Sequence, residues 1–498
     1  MGLLSKSNSG PTVGIDIGSS LIKVVEARPG KDGIQITALG VAPTPPDTIE
    51  NENIIDPQTL GQAIRDLLDE SGITCKRSVS SVSGQSSVIV RIIEVPKMTK
   101  QELAEAMKWE IERHVPFAAN EVVMDFQPIE RPTAAPDDQN MEVLLAVAQK
   151  DIVNSHVETL FAAGLEPVAI DVEPLAACRS LIDISINDIR QQVIAIVNIG
   201  SAATELGVYQ NGLLAFPRTL PIAGDAITRA LSEGLGIPMQ EAERFKREKA
   251  VVLLDRAAQF SPSVNMPDIQ SVDNLGESDE TADAVSQDID GINNPDLDFI
   301  PGLGYDLGQD ISQAADKTDD GGLDFDIDIG KTPEPSAPIV DFDLSTEEEE
   351  PQAPKAPLDL SEPIDSVTES DDLPAPVVYD LSSAADSSID TSNFSQEMVF
   401  DAMAPVLNDL IAEIRRSLEY YASRFQSQPD RILLCGGTAK LKDLDELLQN
   451  ELGIPVVLAN PMENLTVFSR TLMQDYIEEV ATIFPVSAGL AIRDMIGD

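Results

Sequence analysis

Hydrophobic and polar residues follow two different periods along the chain, and these periods predict alternating strands and helices. An apolar run at residues 12–26, interrupted by a glycine-containing turn, is typical of two buried strands. Residues 59–71 place leucine and isoleucine at helical spacing, and Gly72 follows as a helix stop. Strand-like and helix-like segments alternate in this way up to residue 249. The pattern therefore indicates an α/β fold.

Two predicted helices carry clear end signals. Thr99 precedes the first, and Glu102 follows three residues later, which is typical of a capping box. This helix is expected to stop before Pro116. The second spans residues 395–425 and is long and amphipathic, with a kink expected at Pro405.

One unit of the pattern occurs twice. Two strands around a tight glycine turn are found at residues 12–26 and again at residues 192–209. Helical segments follow the strands in both halves. An internal duplication on this scale predicts two similar lobes around a shared cleft.

One long segment departs from the pattern. Residues 261–390 carry 34 acidic residues against three lysines and no arginine. That stretch holds −31 of the chain's formal charge of −51. A segment so acidic and so poor in apolar residues does not bury enough surface to offset its chain entropy. We therefore expect residues 256–394 to form a disordered insert.

Short apolar-acidic clusters recur within the insert, at residues 297–300, 323–327 and 340–344. Clusters of this kind are typical of docking motifs for a basic, apolar groove. A solvated tether with incidental apolar residues explains them equally well. The sequence leaves both interpretations open.

The charge, the cysteine and histidine content and the apolar stretches of the chain argue against several classes of function. A net charge of −51 repels the phosphate backbone, so we expect no nucleic-acid partner. The three cysteines lack metal-ligand spacing, and a chain with two histidines is a poor candidate for a histidine-based metal site or a Ser-His-Asp triad. No stretch is long and apolar enough to span a bilayer, and the N-terminus lacks a signal-peptide core. These features predict a reduced, cytoplasmic protein without direct membrane insertion.

The first glycine turn has the residue types that a phosphate site requires. Asp16 ends a buried strand and can hold Mg²⁺ through water. Gly18 lets the backbone approach a ligand, so that the following amides can face phosphate oxygens, and Lys23 adds positive charge. The candidate residues of this turn are Asp16, Gly18, Ser19, Ser20 and Lys23. An ordinary hairpin turn is the alternative interpretation.

Two later turns extend the pattern. The second repeats the first, with Asn198 at the position of Asp16. The third runs from a strand into paired glycines, which would let an adenine ring lie flat on the backbone. The candidate residues are Asn198, Gly200 and Ser201 in the second turn and Gly436, Gly437 and Thr438 in the third.

Together the three turns resemble those of the actin, Hsp70 and sugar-kinase nucleotide-binding superfamily. The resemblance implies a two-lobed fold that binds ATP or ADP with Mg²⁺. Phosphate loops would lie at residues 14–20 and 197–204, and an adenosine loop at residues 435–438. Connecting helices would lie at residues 171–177 and 484–490.

The same resemblance implies roles for further residues. Glu173 would position the attacking water, as the matching glutamate does in related chaperones and bacterial actins. Glu243, Lys246 and Arg247 match the helix that holds ribose and adenine, and Gly224 would also contact nucleotide. An intrahelical ion pair between Glu243 and Lys246 is the alternative.

Within this superfamily the chain resembles the PilM family of type IV pilus assembly proteins. The residues that carry the resemblance lie at 95–96, 102–103, 107–117, 148–164, 168–171 and 413–421. They imply a cytoplasmic scaffold, peripheral to the inner membrane, that holds the cytosolic N-terminal tail of a PilN-like membrane protein. Pilus motor ATPases would be further partners. The resemblance covers roughly residues 10–255 and 395–496 and does not include the acidic insert.

The resemblance also implies a domain plan of four parts. Lobe 1 would comprise residues 10–84, 171–190 and 480–496, with a small inserted α+β subdomain at residues 85–170 that forms the partner groove. Lobe 2 would comprise residues 191–255 and 395–479, interrupted by the acidic insert at residues 256–394.

One residue departs from the superfamily. Related ATPases carry aspartate where Asn198 stands, and asparagine lacks the charge that helps bind Mg²⁺ and its waters. We therefore expect nucleotide binding with at most slow hydrolysis. Three alternatives are a motor-like ATPase, an FtsA-like division protein and a sugar kinase. The last lacks a convincing catalytic base, and the chain end lacks the basic amphipathic anchor typical of FtsA.

Overall fold

A computed structural model describes most of the chain outside the predicted acidic insert. The described residues are 10–31, 33–84, 87–118, 120–129, 139–183, 192–260, 394–467 and 474–496. Of the insert predicted at residues 256–394, only residues 256–260 and 394 fall within these ranges, so its expected disorder and its apolar-acidic clusters lie outside the described residues. None of the helices in these ranges combines the length and the hydropathy needed to cross a bilayer.

The secondary structure alternates strands and helices, as the hydrophobic periods predict. The strands are β1 Thr12–Ile17, β2 Leu21–Gly30, β3 Gly33–Pro43, β4 Ile49–Glu50, β5 Asn53–Ile54, β6 Arg77–Val82, β7 Val88–Pro96, β8 Val122–Ile129, β9 Asn140–Gln149, β10 Glu166–Val172, β11 Val193–Ile199, β12 Thr204–Gln210, β13 Leu213–Leu220, β14 Arg431–Cys435, β15 Val456–Leu458 and β16 Thr466–Val467. The α-helices are α1 Pro57–Glu70, α2 Lys100–His114, α3 Lys150–Ala162, α4 Glu173–Leu181, α5 Gly224–Leu235, α6 Met239–Lys249, α7 Leu254–Phe260, α8 Gln396–Phe425, α9 Leu444–Leu452, α10 Gln474–Val480 and α11 Pro485–Ala491. Short 3-10 helices occur at Gly437–Lys440, Pro461–Glu463 and Ala481–Ile483.

The sheet of lobe 1 has the strand order β10-β6-β1-β2-β3-β16. Strands β1, β2 and β3 form an antiparallel meander. Strands β6 and β10 add to β1 in parallel. Apolar residues of α1 pack on this sheet, where Leu60, Ile64 and Leu67 contact a core that includes Val13 and Ile15.

The sheet of lobe 2 follows the same plan, in the order β13-β12-β11-β14-β15. Strands β11, β12 and β13 form the antiparallel meander, and β14 and β15 add to β11 in parallel. The long helix α8 packs across this sheet and supplies much of its core, including Phe400, Met403 and Leu407. The matching strand orders confirm the two-lobed α/β fold with an internal duplication.

A small α+β subdomain is inserted in lobe 1. Its antiparallel sheet has the order β7-β9-β8, and α2 packs on it through Leu103 and Met107. The predicted capping box is present at the start of α2: the Thr99 N–H donates to Glu102 Oε2 at 2.8 Å, and the Glu102 N–H donates to Thr99 Oγ1 at 3.3 Å. Helix α3 packs on α1, and β10 pairs with β6 of the large sheet. The boundaries at residues 85 and 170 remain a prediction.

Two helices connect the lobes, close to where the sequence predicts them. The first begins at Glu173, because Asp171 and Val172 still belong to β10. The second, α11, is buried at every residue and packs on α4 and β1. Two glycines allow this close packing: a Cβ on Gly489 would lie 1.7 Å from the Ala176 carbonyl oxygen, and a Cβ on Gly14 would lie 2.1 Å from the Ser487 carbonyl oxygen. The packing of α11 against α4 and β1 is therefore so close that backbone atoms of the elements meet directly.

Helices α7 and α8 meet at the two ends of the segment that the structure does not describe. Arg256 on α7 lies 3.1 Å from Glu397 and 2.6 Å from Asp401, both on α8. Ala257 on α7 belongs to the same core as Val399 and Phe400 on α8. The chain therefore leaves lobe 2 and returns to it at one place.

Candidate functional site

A cavity of about 560 Å³ lies between the two lobes. Fifteen of the sixteen predicted site residues line it: Asp16, Gly18, Ser19, Ser20, Lys23, Glu173, Asn198, Gly200, Ser201, Glu243, Lys246, Arg247, Gly436, Gly437 and Thr438. The sixteenth, Gly224, is not a lining residue, but its carbonyl accepts a hydrogen bond from Lys246, which is one. The fold therefore brings together residues that are widely separated in the sequence.

The hairpin of β1 and β2 contributes the first turn. The Gly18 N–H donates to the Leu21 carbonyl at 3.1 Å and closes the turn. Asp16 and Lys23 face each other across the two strands and form an ion pair of 2.9 Å. Asp16 is only 6% exposed, so Lys23 supplies the neutralising charge that a buried carboxylate requires.

The hairpin of β11 and β12 contributes the second turn with the same geometry. The Gly200 N–H donates to the Ala203 carbonyl at 3.0 Å. Asn198 occupies the register position of Asp16, and its cross-strand neighbour is Glu205. The two lobes thus present equivalent turns with different charges at the paired positions.

Glu205 is a site residue that the sequence analysis missed. It is buried on β12, lines the cavity, and accepts a hydrogen bond from Thr219 Oγ1 at 2.9 Å. Burial, with the nearby charge of Glu173, raises the pKa of Glu205 to about 8. Lobe 2 therefore still has an acid at its turn, although Asn198 replaces the expected aspartate, because Glu205 lies on the neighbouring strand. The register of the hairpin could have identified Glu205, because it places Glu205 opposite Asn198 just as Lys23 lies opposite Asp16.

Glu173 begins helix α4 and lines the cavity between the two hairpins. The Tyr209 hydroxyl on β12 donates to the Pro174 carbonyl at 2.6 Å and fixes the start of α4 against lobe 2. Burial raises the pKa of Glu173 to about 7, with a further contribution from the Asp16 charge and opposition from Lys23. A carboxylate with a pKa near neutrality is suited to act as a general base.

The loop after β14 contributes paired glycines with different roles. Gly436 adopts a φ of +93°, and a Cβ there would lie 2.3 Å from the Ile199 carbonyl oxygen. Nothing lies within 4 Å of the corresponding position on Gly437, so its cavity side is open. Thr438 Oγ1 donates to the Gly200 carbonyl at 3.0 Å and joins this loop to the second turn.

Helix α6 supplies the charged side chains predicted for it. Lys246 forms an ion pair of 2.7 Å with Glu243 and donates to the Gly224 carbonyl at 2.9 Å. The pKa of Glu243 is lowered, because Lys246, Thr228 and Arg247 together outweigh the effect of burial. The intrahelical ion pair considered from the sequence is thus present, and it lies on the cavity wall.

Arg247 joins the two lobes. Its guanidinium forms an ion pair of 2.7 Å with Glu243 and also donates to Ser20 Oγ in the first turn, at 3.1 Å. Gly224 stands where a Cβ would lie 2.6 Å from Thr438 Oγ1. Its lack of a side chain therefore permits α5 to approach the third loop.

Among the described residues, no group of three or more histidine, cysteine, aspartate or glutamate side chains is arranged to hold a metal ion. Mg²⁺ usually keeps several waters and is held by one or two carboxylates together with substrate phosphates. Asp16, buried at the end of β1 and lining the cavity, fits that type of binding. The donor set is therefore compatible with Mg²⁺ bound through a nucleotide.

The fold and the site together define the class of this protein. Two duplicated lobes with hairpin turns facing a common cleft are the architecture of actin-like proteins. In agreement, the family model described as type IV pilus assembly protein PilM matches residues 14–252, and the model described as cell division protein FtsA matches residues 195–480. The FtsA model spans more than half of the chain, so the chain belongs to the family that this model describes, and it is similar to PilM over residues 14–252.

Individual proteins agree with this assignment. FtsA of Bacillus subtilis (strain 168) is 24% identical over 269 residues, which are 50% of this chain and 60% of the relative. FtsA of Pseudomonas aeruginosa is 24% identical over 276 residues, covering 52% of this chain and 65% of the relative. The chain thus spans less than two thirds of these curated relatives. A solved structure, the "PilM-PilN type IV pilus biogenesis complex", superimposes with a TM-score of 0.63 and 23% identity, over 98% of this chain and 99% of that one.

Proposed function

We propose that the protein is a nucleotide-binding scaffold of a type IV pilus assembly platform, located in the cytoplasm at the inner membrane. The observation that carries the proposal is the convergence of both hairpin turns, the 436–438 loop and helix α6 on one cavity. ATP or ADP with Mg²⁺ is the ligand we assign to this cavity. Bound nucleotide stabilises one closure of the lobes and so changes the affinity for a protein partner.

Each element of the cleft has a part in this binding. The amides of the two turns face the phosphates, and Lys23 adds positive charge beside Asp16. Asp16 holds Mg²⁺ through its waters. The adenosine lies against the open side of Gly437 and the charged face of α6, where Lys246 is already held by Glu243.

The first test is nucleotide binding by calorimetry with Mg²⁺, comparing the wild type with Asp16→Ala. We expect tight binding by the wild type and a large loss in the variant. Asp69→Ala is the matched control, because Asp69 is an exposed acid on α1 outside the cavity. Equal affinities for the wild type and Asp16→Ala would contradict the proposed phosphate site.

A slow ATPase is the second candidate, and the environment of Glu173 favours it. Its pKa of about 7 allows it to accept a proton from water at physiological pH. We expect turnover far below the ~1–10³ per second of typical enzymes. Glu173→Gln should abolish that turnover while leaving ATP binding in place. Turnover that survives Glu173→Gln would remove Glu173 from the mechanism, and rapid turnover in the wild type would indicate a motor-like ATPase.

The partner we assign is the cytosolic N-terminal tail of a PilN-like inner-membrane protein, docked on the small subdomain. The similarity to a solved PilM-PilN complex supports this choice. Trp109 is the chain's single tryptophan and is 70% exposed on α2 of this subdomain, so its fluorescence is a local reporter. Titration with a synthetic tail peptide should shift the emission, whereas a scrambled peptide should not.

An FtsA-like role in cell division is the competing hypothesis for the partner. It is supported by the match of the FtsA family model to residues 195–480 and by the sequence similarity to FtsA of Bacillus subtilis. Absence of a response to the tail peptide, together with binding to a division protein, would favour this role. Pilus motor ATPases are further partners to be tested in the same assay.

A further inference from the structure

A strained turn places an unexpected acid in the cleft. Strands β4 and β5 form a two-residue hairpin whose tip is Asn51 and Glu52, with φ values of +48° and +65°. A two-residue hairpin with positive φ at both tip positions is a type I′ turn, in which glycine is strongly preferred at the second position. Glutamate in this left-handed conformation is strained, and such strain tends to persist at functional sites.

The carboxylate of Glu52 occupies a defined place in the cleft. Glu52 lines the same cavity as Glu173 and Glu205. Its Oε2 lies 3.1 Å from the position that a Cβ on Gly84 would take, so the carboxylate rests over a backbone with no side chain. Gly84 itself has a φ of +142°. Three segments distant in sequence thus bring three glutamates to one part of the cavity.

The charge of Glu52 acts on acids at the side of the cleft where the phosphates are proposed to bind. Its negative charge contributes to the raised pKa of Glu173 and of Glu205. The other charges that shift the pKa of Glu173 are those of Asp16 and Lys23 in the first turn. Lys23, the cation among them, is already paired with Asp16. Near neutral pH Glu205 is mostly protonated and Glu173 about half protonated, whereas the negative charge of Glu52 acts on both of them.

A second observation points to a polar ligand or water in this region. His156 on α3 lines the cavity and is 6% exposed, yet its Nδ1 has no hydrogen-bond partner among the described residues. Burial lowers the pKa of His156 to about 4, so the imidazole is neutral. Helix α3 packs against β5, which directly follows Glu52. A buried polar nitrogen without a partner indicates that something polar completes this part of the cavity.

We propose that Glu52 is a specificity-determining residue of the cleft, which disfavours the terminal phosphate of a metal-free nucleoside triphosphate relative to a nucleoside diphosphate. The proposal rests on the proposed nucleotide-binding function. The terminal phosphate extends toward Glu52, Glu173 and Glu205, and the charge of Glu52 repels it unless Mg²⁺ neutralises part of the phosphate charge. The diphosphate ends at the two turns and avoids this region.

The test is the affinity for ATP and for ADP, each with Mg²⁺ and with a chelator. Glu52→Gln retains the shape and the backbone strain but removes the charge. We expect metal-free ATP to bind about tenfold more tightly to Glu52→Gln than to the wild type, as one like charge at several ångströms would cause. The affinity for ADP should change less than about twofold on the same argument, because ADP lacks the repelled phosphate. Equal changes for ATP and ADP, or no change in either, would overturn the proposal.

Two glycine variants separate strain from charge. Glu52→Gly relieves a strained left-handed residue and should raise the melting temperature, whereas asparagine tolerates this conformation, so Asn51→Gly should leave the melting temperature nearly unchanged. Only Glu52→Gly should also change the ratio of ATP to ADP affinity. A ratio that changes equally in Asn51→Gly would show that turn geometry, not the carboxylate, controls selectivity. If ADP binds to neither the wild type nor any variant, the proposed nucleotide function itself fails, which is a distinct result from ADP binding with unchanged selectivity.

Discussion

The two hairpins that face the cleft share a backbone geometry and differ in charge. In each, the glycine N–H closes the turn onto the carbonyl three residues later, at 3.1 Å for Gly18 and 3.0 Å for Gly200. In lobe 1 the paired positions hold Asp16 and Lys23, which form an ion pair. In lobe 2 the same positions hold Asn198 and Glu205. The duplication thus preserved the turn, while the charges at its base differ between the lobes.

The difference shows that two equivalent backbones can hold their acids in different ways. The acid of lobe 1 forms an ion pair with Lys23, which neutralises its charge. The acid of lobe 2 is buried and has other acids nearby, which together favour its protonated form over the opposing effect of the hydrogen bond from Thr219. The first hairpin should therefore depend on an intact ion pair, and the second on pH.

Loss of the lobe 1 cation should have the largest effect. Lys23→Met leaves Asp16 buried without its partner, which typically costs about 3–5 kcal/mol of unfolding free energy. Chemical denaturation measures the loss, with exposed Lys31→Met as the control. A cost no larger than that of the control would show that Asp16 does not need Lys23.

Removal of Glu205, the acid of lobe 2, should raise the free energy of unfolding instead of lowering it. The pKa values of Glu205 and Glu173 are raised from the ordinary value of 4.5 to about 8 and about 7, so the native fold favours their protonated forms. Stability from this source is fully present below pH 4.5 and is lost as pH rises through 7 to 8. Glu205→Gln should therefore stabilise the nucleotide-free protein by about 1–3 kcal/mol near pH 8 and by little near pH 4.

Thermal melts from pH 5 to pH 9 test this linkage. The melting temperature of the wild type should fall across that range, and Glu205→Gln should flatten the fall. Glu233→Gln, at an exposed position of α5, should leave the slope unchanged. Parallel curves for the wild type and Glu205→Gln would mean that Glu205 is ionised without penalty in the fold.

Because the two turns share a backbone geometry, replacing either turn glycine by alanine should cost the same stability, and less than the loss of Lys23. A Cβ on Gly18 would lie 3.0 Å from the Leu21 carbonyl oxygen, and a Cβ on Gly200 would lie 3.0 Å from the Ala203 carbonyl oxygen. Gly18→Ala and Gly200→Ala should each destabilise by about 1–2 kcal/mol, since a backbone oxygen must shift in both. Gly437→Ala, with open space around it, should cost less. Unequal costs at Gly18 and Gly200 would indicate that the two turns differ in rigidity.

The smallest effect should come from the contact between the first turn and lobe 2. Arg247→Ala removes the hydrogen bond to Ser20 and the pair with Glu243, both exposed, and should cost only about 0.5 kcal/mol. Its effect should appear instead in the separation of the lobes, as a larger radius of gyration in X-ray scattering. Arg244→Ala is the control, because Arg244 lies near Glu241 within its own helix. An unchanged radius in Arg247→Ala would mean that other contacts hold the lobes together.

The sequence predicted those parts of the molecule that depend on local patterns. Glycine spacing identified the three turns, and the Thr99–Glu102 spacing identified the start of α2, because turns and caps need particular residues at fixed offsets. The duplication of strand order followed from the repeated hairpin. The structure places the predicted nucleotide residues around one cavity, while their roles remain predictions.

The acids Glu205 and Glu52 could not be found in that way. Glu205 becomes a cavity residue only through the register of β11 with β12, which sets a side chain opposite Asn198. Glu52 stands where turn rules expect glycine, so the local pattern argued against the hairpin that places it in the cleft. In both cases tertiary pairing, rather than composition or period, determines the charge of the site.

The clamp of Arg256 on Glu397 and Asp401 has a consequence for how this family member can change over time. Because the ends of residues 261–393 are held together by contacts within lobe 2, the lobe is anchored independently of how many residues lie between them. Insertions and deletions between the two helices would therefore leave this clamp and the core contacts of Ala257 with Val399 and Phe400 in place, so the fold of lobe 2 does not constrain the length of the chain between them.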